Sequence, residues 1–184
     1  PQQIADALAA AHARARPGLK LIGEPSIEDD RKANVFKVGV AFEYPADATY
    51  RIGGLDVDFS SVEMGEFLGG PNETTRRTPW LLDMPRRMTS TIEVIAPQPF
   101  SGQAPSPVDV QDKHFSYSVK ATSSGSRYSY TRKLERRTDE VLPGDLAAYR
   151  ESAQRARGML GHGARVLLVD TKRLVPVFAA VERK

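Results

Sequence analysis

The sequence contains no cysteine. This absence excludes disulfide bonds, thiolate metal sites and any cysteine nucleophile within the chain, because each of these needs a thiol. No apolar run is long enough to cross a bilayer as a helix, and no charged-then-apolar leader precedes a cleavage site. The chain begins with Pro1 rather than Met, so we expect a processed product or an excised piece of a larger protein.

Several short motifs that mark enzymes are also missing. There is no Gly-x-Ser-x-Gly elbow, and the glycine pairs at 53–54 and 69–70 lack the Lys and Ser/Thr of a phosphate-binding loop. His12, His114 and His162 form no His-x-x-x-His pair of the metal-binding type. We therefore expect structural or surface histidines and no cofactor, and a hydrolase that uses serine or carboxylates is the least favoured hypothesis.

The composition is that of a folded chain. Hydrophobic residues make up 40% and charged residues 27% of 184 positions, which is typical of a globular domain large enough to bury a core. The net charge of +3 comes from arginines scattered among acidic residues. This scatter favours a solvated surface over a nucleic-acid interface, since such interfaces gather their Lys and Arg on one side.

Alternating hydrophobicity predicts most of the secondary structure. The segment 35–44 is the clearest strand, with one face expected to line a core. Further strands are predicted over 50–59, 89–95, 115–121 and 128–136, and the last two form a hairpin across a Ser/Gly-rich turn. The proline-rich segment 97–107 is predicted as an extended loop, and 166–169 as a short buried strand. The inward side chains of the first strand would be Phe36, Val38, Val40, Phe42 and Tyr44.

Two segments have helical spacing instead. Residues 2–16 are alanine-rich and end at Pro17-Gly18; since so short a helix is marginal in water, we expect it to dock through Ile4 and Leu8. Residues 143–159 repeat Leu146 and Tyr149 on one face. Together the elements predict a mainly β fold, an antiparallel β-sandwich (Ig-like or related) with a helix near each end. The predicted limits are 1–24 for the N-terminal helix and linker, 25–160 for the sandwich with its C-terminal helix, and 161–184 for a strand and tail.

Oxygen-rich acidic pairs occur at two places. Asp29 and Asp30 precede Asn34, and Asp56 alternates with Asp58 along a predicted strand. Such carboxylates suit a hard cation, so all four are weak calcium candidates, although neither pair has the spacing of a known calcium loop. Side-chain hydrogen bonds that form a turn explain the first cluster equally well, and we favour that interpretation.

The segment 76–87 is rich in arginine. Arg77 lies close to Trp80 in sequence, so its guanidinium is expected either to stack on the indole or to pair with a carboxylate such as Glu93. The alternative is that the arginines form a basic face for an anionic partner. The candidate structural or interaction residues are Arg76, Arg77, Pro79, Trp80, Arg86 and Arg87.

The order of these pieces resembles the region that follows the catalytic core in bacterial transglutaminase-like proteins with an N-terminal β-domain. The resemblance covers about residues 17–160, and its individual motifs are short. It runs through Pro25, Asp29-Asp30 and Asn34, the strand 36–44, Arg77-x-Pro79-Trp80-Leu81, Met84-Pro85, the strand 92–97, the hairpin strand 128–136, and Pro143, Leu146, Tyr149 and Arg150.

The catalytic Cys, His and Asp of that family belong to the preceding papain-like core, and no position here matches them. The resemblance therefore implies a non-catalytic accessory domain, without cofactor, that packs on the core or on another protein. It implies a transglutaminase-like or cysteine-peptidase-like parent enzyme, exported to the periplasm or cell envelope. The alternative hypothesis is a binding module for an anionic polymer, either nucleic acid or envelope polysaccharide.

Overall fold

The computed structural model describes residues 2–15, 18–43, 50–51, 54–71 and 76–166. The chain divides into two compact units, residues 1–50 and 51–184. The first contains α1 (Gln2–Ala15), β1 (Lys20–Asp30) and β2 (Val35–Glu43). From the boundary onward follow β3 (Tyr50–Arg51), β4 (Gly54–Asp58), α2 (Val62–Phe67), β5 (Trp80–Leu81), β6 (Arg87–Ile95), β7 (Phe100–Ser101), β8 (Val108–Gln111), β9 (Phe115–Ser124), β10 (Arg127–Arg136), β11 (Glu140–Val141), a 3₁₀ turn (Pro143–Asp145), α3 (Leu146–Gly158) and β12 (Gly163–Val166).

In the first unit, β1 and β2 form an antiparallel hairpin in which Ile27 pairs with Val38. The tight turn between them is built by Asp30, whose Oδ1 accepts hydrogen bonds from the backbone N–H groups of Lys32 and Ala33, both at 3.0 Å. Asn34 then takes the left-handed conformation with φ 52°, which Asn tolerates better than most residues. These are the side-chain bonds that the turn interpretation of the acidic cluster predicts.

The expected role of β2 as a wall of the sandwich is corrected by the structure. β2 pairs with β1 in a separate two-stranded sheet, Phe36 is 43% exposed, and Val38, Val40 and Phe42 are only half-buried. Alternation shows which residues share a face, but it does not show which layer covers that face. Tyr44 and the side chains of Ile4 and Leu8 lie outside the described residues.

The predicted domain limits place β2 with the sandwich, whereas the compact units divide at residues 50 and 51.

In the first unit, α1 supplies part of the cover for the hairpin. Its His12 ring lies 5.9 Å from the ring of Phe42. Among the described residues, no helix has the length and apolar character needed to span a membrane.

The second unit is mainly β, as predicted, with α2 between β4 and β5 and α3 between β11 and β12. One four-stranded sheet has the order β6-β10-β9-β8 and the other the order β3-β4-β12-β7, while β5 and β11 form a separate pair. The predicted hairpin is confirmed: β9 and β10 pair antiparallel across a two-residue turn in which Gly125 has φ 57°, a conformation open to glycine. The proline-rich segment contains the short strand β7.

The core lies between the two four-stranded sheets and against α3. Inward residues of β9 and β10 alternate with exposed ones, as the period of a half-buried strand requires. β12 supplies Val166, and α3 contributes one apolar stripe. Of the predicted strand 166–169, only Val166 lies in a described strand, as the last residue of β12, and residues 167–184 lie outside the described part. The largest members of this buried cluster include Phe59, Phe100, Phe115, Tyr117, Tyr128, Tyr130, Leu134 and Tyr149.

Candidate functional site

The arginines predicted as an interaction site lie around β5 and the start of β6. Arg77 and Arg86 are exposed and Arg76 is half-buried. Arg87 Nε lies 3.0 Å from Glu135 Oε1 on the neighbouring strand. Glu93, considered as a partner for Arg77, pairs with Arg127 instead. The reason is that Glu93 lies on β6 beside β10, where Ser129 is its direct cross-strand partner and Arg127, two residues away, is a diagonal neighbour within reach of a long side chain.

The predicted residues Pro79 and Trp80 lie at the start of β5, where successive side chains point to opposite sides of the strand. Trp80 is half-buried and its ring meets the ring of Tyr149 edge-on at 5.3 Å. The next residue, Leu81, points the other way and is 70% exposed. Across the β5–β11 pair, Leu142 is 46% exposed, and Pro79 is exposed as well. Glu140, the cross-strand partner of Leu81, is exposed beside it and adds a carboxylate to this side. We call Pro79, Leu81 and Leu142 the β5–β11 apolar surface.

The four aspartates considered for calcium are used locally. Asp29 pairs with Arg31 at 3.3 Å, and Asp30 holds the β1–β2 turn. Asp58 accepts hydrogen bonds from the backbone and hydroxyl of Ser60, while Asp56 lies 3.7 Å from Arg165 Nε. Among the described residues, no group of three or more His, Asp or Glu is arranged to hold a metal ion.

A buried arginine is the most unusual feature of the second unit. Arg132 on β10 has no exposed surface, its Nη2 donates a 2.6 Å hydrogen bond to the carbonyl of Leu160, and its guanidinium lies 4.4 Å from the centre of the Tyr130 ring. The ring of His162 stacks on the other aromatic groups here, 5.0 Å from Tyr130 and nearly parallel to it. We call the set Tyr117, Tyr128, Tyr130, Arg132 and His162 the Arg132 cluster.

The Arg132 cluster holds the C-terminal end of α3. The hydroxyls of Tyr117 and Tyr130 both donate to the carbonyl of Met159, at 3.3 and 3.4 Å. Carbonyls at a helix C-terminus have no partner within the helix and carry partial negative charge, so hydroxyl donors and a cation are both stabilising there. The cluster therefore ties the end of α3 to the inner face of the β6-β10-β9-β8 sheet.

Burial sets the protonation of this cluster. It raises the pKa of Tyr117 to about 12, although the Arg132 charge acts in the opposite direction. Burial lowers the pKa of His162, and the positive charge of Arg132 lowers it further. At neutral pH the tyrosines are therefore neutral donors and His162 is uncharged, which leaves Arg132 as the cation of the group.

Sequence reasoning missed Arg132, although a signal for it was present. The alternation Tyr128, Tyr130, Arg132, Leu134 places the arginine on the same face as three buried residues. The strand period therefore predicts that Arg132 points inward. A charged residue is normally read as exposed, because burial of an uncompensated charge is unfavourable. Here a helix end supplies the compensation.

A second buried group has the outline of a hydrolase triad. His114, 2% exposed, lies with Nδ1 2.8 Å from Thr138 Oγ1 and Nε2 3.5 Å from Asp145 Oδ2. A nucleophile must give its proton to the imidazole, but the Thr138 hydroxyl donates to the carbonyl of Glu140 at 2.9 Å. Thr138 Oγ1 therefore accepts a hydrogen bond from His114 Nδ1–H, whereas an activated nucleophile would donate one to the imidazole.

The residues around His114 connect separate segments of the chain instead. Lys113 Nζ lies 2.7 Å from Asp145, and its hydrogen bond is the main cause of a lowered pKa for that carboxyl. The contacts of His114 thus join the segment before β9 to the loop that follows β10 and to the start of α3. The geometry favours a structural clamp over a catalytic one.

Comparison with known proteins adds no relative: the chain matches no family model, and no curated protein or solved structure is significantly similar to it.

Proposed function

We propose that the chain is a non-catalytic β-sandwich accessory domain of a transglutaminase-like protein, which packs on the catalytic core of its parent or on another protein. The observation that carries the proposal is the β5–β11 apolar surface. It lies in the segment that supports the resemblance, with Trp80 anchored inward against Tyr149 and Leu81 presented outward at 70% exposure. Apolar side chains grouped in this way mark docking surfaces.

The buried polar groups also support a structural role. Arg132 and its tyrosines are occupied in holding the end of α3. His114 Nδ1 donates to Thr138, whereas its buried Nε2, 3.5 Å from Asp145 Oδ2, makes no hydrogen bond within the described residues. The absence of cysteine from the chain leaves the nucleophile of that enzyme class to another domain. Residence in the periplasm or cell envelope follows from the same proposal.

A binding titration against the purified papain-like core of the parent tests the docking surface. Leu81→Ser should weaken binding about tenfold, because it removes an apolar side chain expected to be buried in the complex. Ile95→Ser is the matched control: Ile95 is 66% exposed on a strand end, so its replacement should leave the affinity unchanged. Equal losses for the two variants would count against this surface.

Activity assays test the non-catalytic part. The chain alone should turn over neither transglutaminase nor peptidase substrates. Turnover that survives repurification and scales with the concentration of the chain would contradict the proposal.

The binding module for an anionic polymer remains the second candidate. The exposure of Arg77 and Arg86 favours it, whereas the pairing of Arg87 with Glu135 and of Arg127 with Glu93 weakens the local positive field. Binding to nucleic acid or acidic polysaccharide that falls steeply with salt would support it, since phosphate contacts release counterions. No binding at low salt would eliminate it.

A further inference from the structure

The β1–β2 hairpin has one blocked edge and one open edge. Among the described residues, each strand pairs only with the other. The outer edge of β1 carries Pro25, which has no N–H to donate, and an irregularity in register between Ile22 and Ser26. Both features discourage further strand pairing. β2 has nine residues, no proline and no bulge, so its outer edge can accept another strand.

The apolar face of β2 has a palindromic sequence. Phe36, Val38, Val40 and Phe42 share one face, in the order Phe-Val-Val-Phe around Gly39. An antiparallel pairing of two identical strands about a twofold axis places residue 39 opposite itself. Phe36 then lies opposite Phe42 of the second copy, and Val38 opposite Val40. The pattern is self-complementary in that register, and a shift by one residue would put the apolar faces on opposite sides.

We propose that β2 is a self-association edge: two copies of the chain pair antiparallel through β2, about an axis at Gly39, to form the sheet β1-β2-β2′-β1′. This inference is independent of the proposed accessory function. The apolar face of β2 is open enough to gain from it, since Phe36 is 43% exposed. Pairing extends this face across both hairpins and covers the exposed Phe36 with Phe42 of the second copy.

The opposite face of β2 supplies complementary charge. Lys37, Gly39, Ala41 and Glu43 point there and are exposed. In the proposed register, Lys37 lies opposite Ala41 of the second copy and diagonal to its Glu43. Lys37 Nζ already pairs with Glu28 at 2.9 Å within the hairpin, so Glu43 of the second copy adds a second carboxylate near the same ammonium group, and symmetry repeats this contact. A glycine at position 39 is required within the hairpin itself, because a Cβ there would meet Ser26 Oγ at 2.5 Å, and it also leaves no side chain at the proposed axis.

The expected affinity is modest. A single nine-residue edge with a narrow apolar face is at the small end of specific interfaces. We therefore expect a reversible dimer with a Kd on the order of micromolar. Sedimentation velocity over roughly a hundredfold range of concentration around that value covers the transition.

The absence of cysteine from the chain allows a direct test of register. In the variant Lys37→Cys/Ala41→Cys, each thiol faces the other position on the second copy, so mild oxidation should give a dimer held by two disulfides. Within one chain the two positions are about 13 Å apart, at about 3.3 Å per strand residue, too far to join. In either single variant, the two cysteines of the dimer are at least as far apart across the axis as positions 37 and 41 are within one chain, so no disulfide should form between the copies. Glu24→Cys/Glu28→Cys, with the same spacing on β1, is the matched control.

Substitution on the apolar face gives the second readout. Phe36→Ser should weaken the dimer at least tenfold, whereas Leu21→Ser, at a similarly exposed position on the blocked strand, should change its affinity less than twofold. Circular dichroism checks that each of the two variants remains folded. A chain that stays monomeric throughout the range, or disulfides that form equally in the β1 pair or in the single variants, would overturn the proposal.

Discussion

Replacement of Tyr149 is expected to reveal how α3 is attached to the sheet. Its side chain is fully buried, its hydroxyl donates a 3.1 Å hydrogen bond to the carbonyl of Gly69, and its ring meets Trp80 and Phe115 edge-on at 5.3 and 5.6 Å. Two variants separate these contributions. Tyr149→Phe removes the hydroxyl alone, and Tyr149→Ala removes the ring as well.

The magnitudes follow from what each variant leaves behind. Tyr149→Phe should lower the free energy of unfolding by about 1 kcal/mol, or by up to about 3 kcal/mol if the Gly69 carbonyl stays buried and unsatisfied. Tyr149→Ala should lower it by about 4 kcal/mol, because a cavity replaces a fully buried aromatic ring. In a domain of this size each kcal/mol shifts Tm by about 2–4 °C, so the two variants should be clearly resolved.

The assay uses the tryptophan of the chain. Trp80 is the only tryptophan and lies beside Tyr149, so its fluorescence in urea reports on unfolding at this position. Leu142→Ala, at an exposed position of the same region, is the control and should stay within about 0.5 kcal/mol of the parent. If Tyr149→Ala is no less stable than Tyr149→Phe, the ring does not anchor α3 and the reasoning fails.

Three further predictions follow. Burial raises the pKa of Tyr117 from 10.0 to about 12, so between these values the unfolded state releases protons that the folded state keeps. Stability should therefore fall with rising pH, by up to about 1.4 kcal/mol per pH unit for this tyrosine, in urea titrations; a flat profile would contradict this. Arg132→Met should raise the pKa of His162 by NMR titration, since it removes a charge that lowers this pKa; no change would mean that the charge is screened. Val40→Asp should abolish hydrogen-exchange protection of β2, because it places a charge on the half-buried face, whereas Lys37→Gln, which removes only the exposed ion pair with Glu28, should lower it slightly; equal losses would show that the faces are reversed.

Local signals in the sequence predicted the parts of the fold that are made locally. The β9–β10 hairpin needs only alternation on either side of a Ser/Gly turn, and both were visible. The helix predicted over 143–159 begins as a 3₁₀ turn at Pro143 and continues as α3 to Gly158, because its stripe and its end signals lie within one segment. In both cases, residues near in sequence determine the structure.

Long-range partners were not predictable in the same way. β2 has the most regular alternation in the chain, yet it pairs with β1 rather than with a strand of the sandwich. Nothing in its own residues distinguishes these partners, since any apolar layer covers an apolar face. Arg132 was not predicted to be buried for a related reason: the carbonyl that accepts its hydrogen bond belongs to Leu160, just after α3, which is distant in sequence.

The position of β12 has a consequence for biosynthesis. β4 and β7 pair only through β12 among the described residues, and β12 is the last strand described. The β3-β4-β12-β7 sheet is therefore completed only after residue 166 has left the ribosome. Until then β7 has no partner strand among the described residues, and β4, which pairs with β3, has one open edge; such exposed edges are prone to aggregate or to engage chaperones. A premature stop just before Gly163 should thus yield an insoluble product rather than a slightly smaller domain.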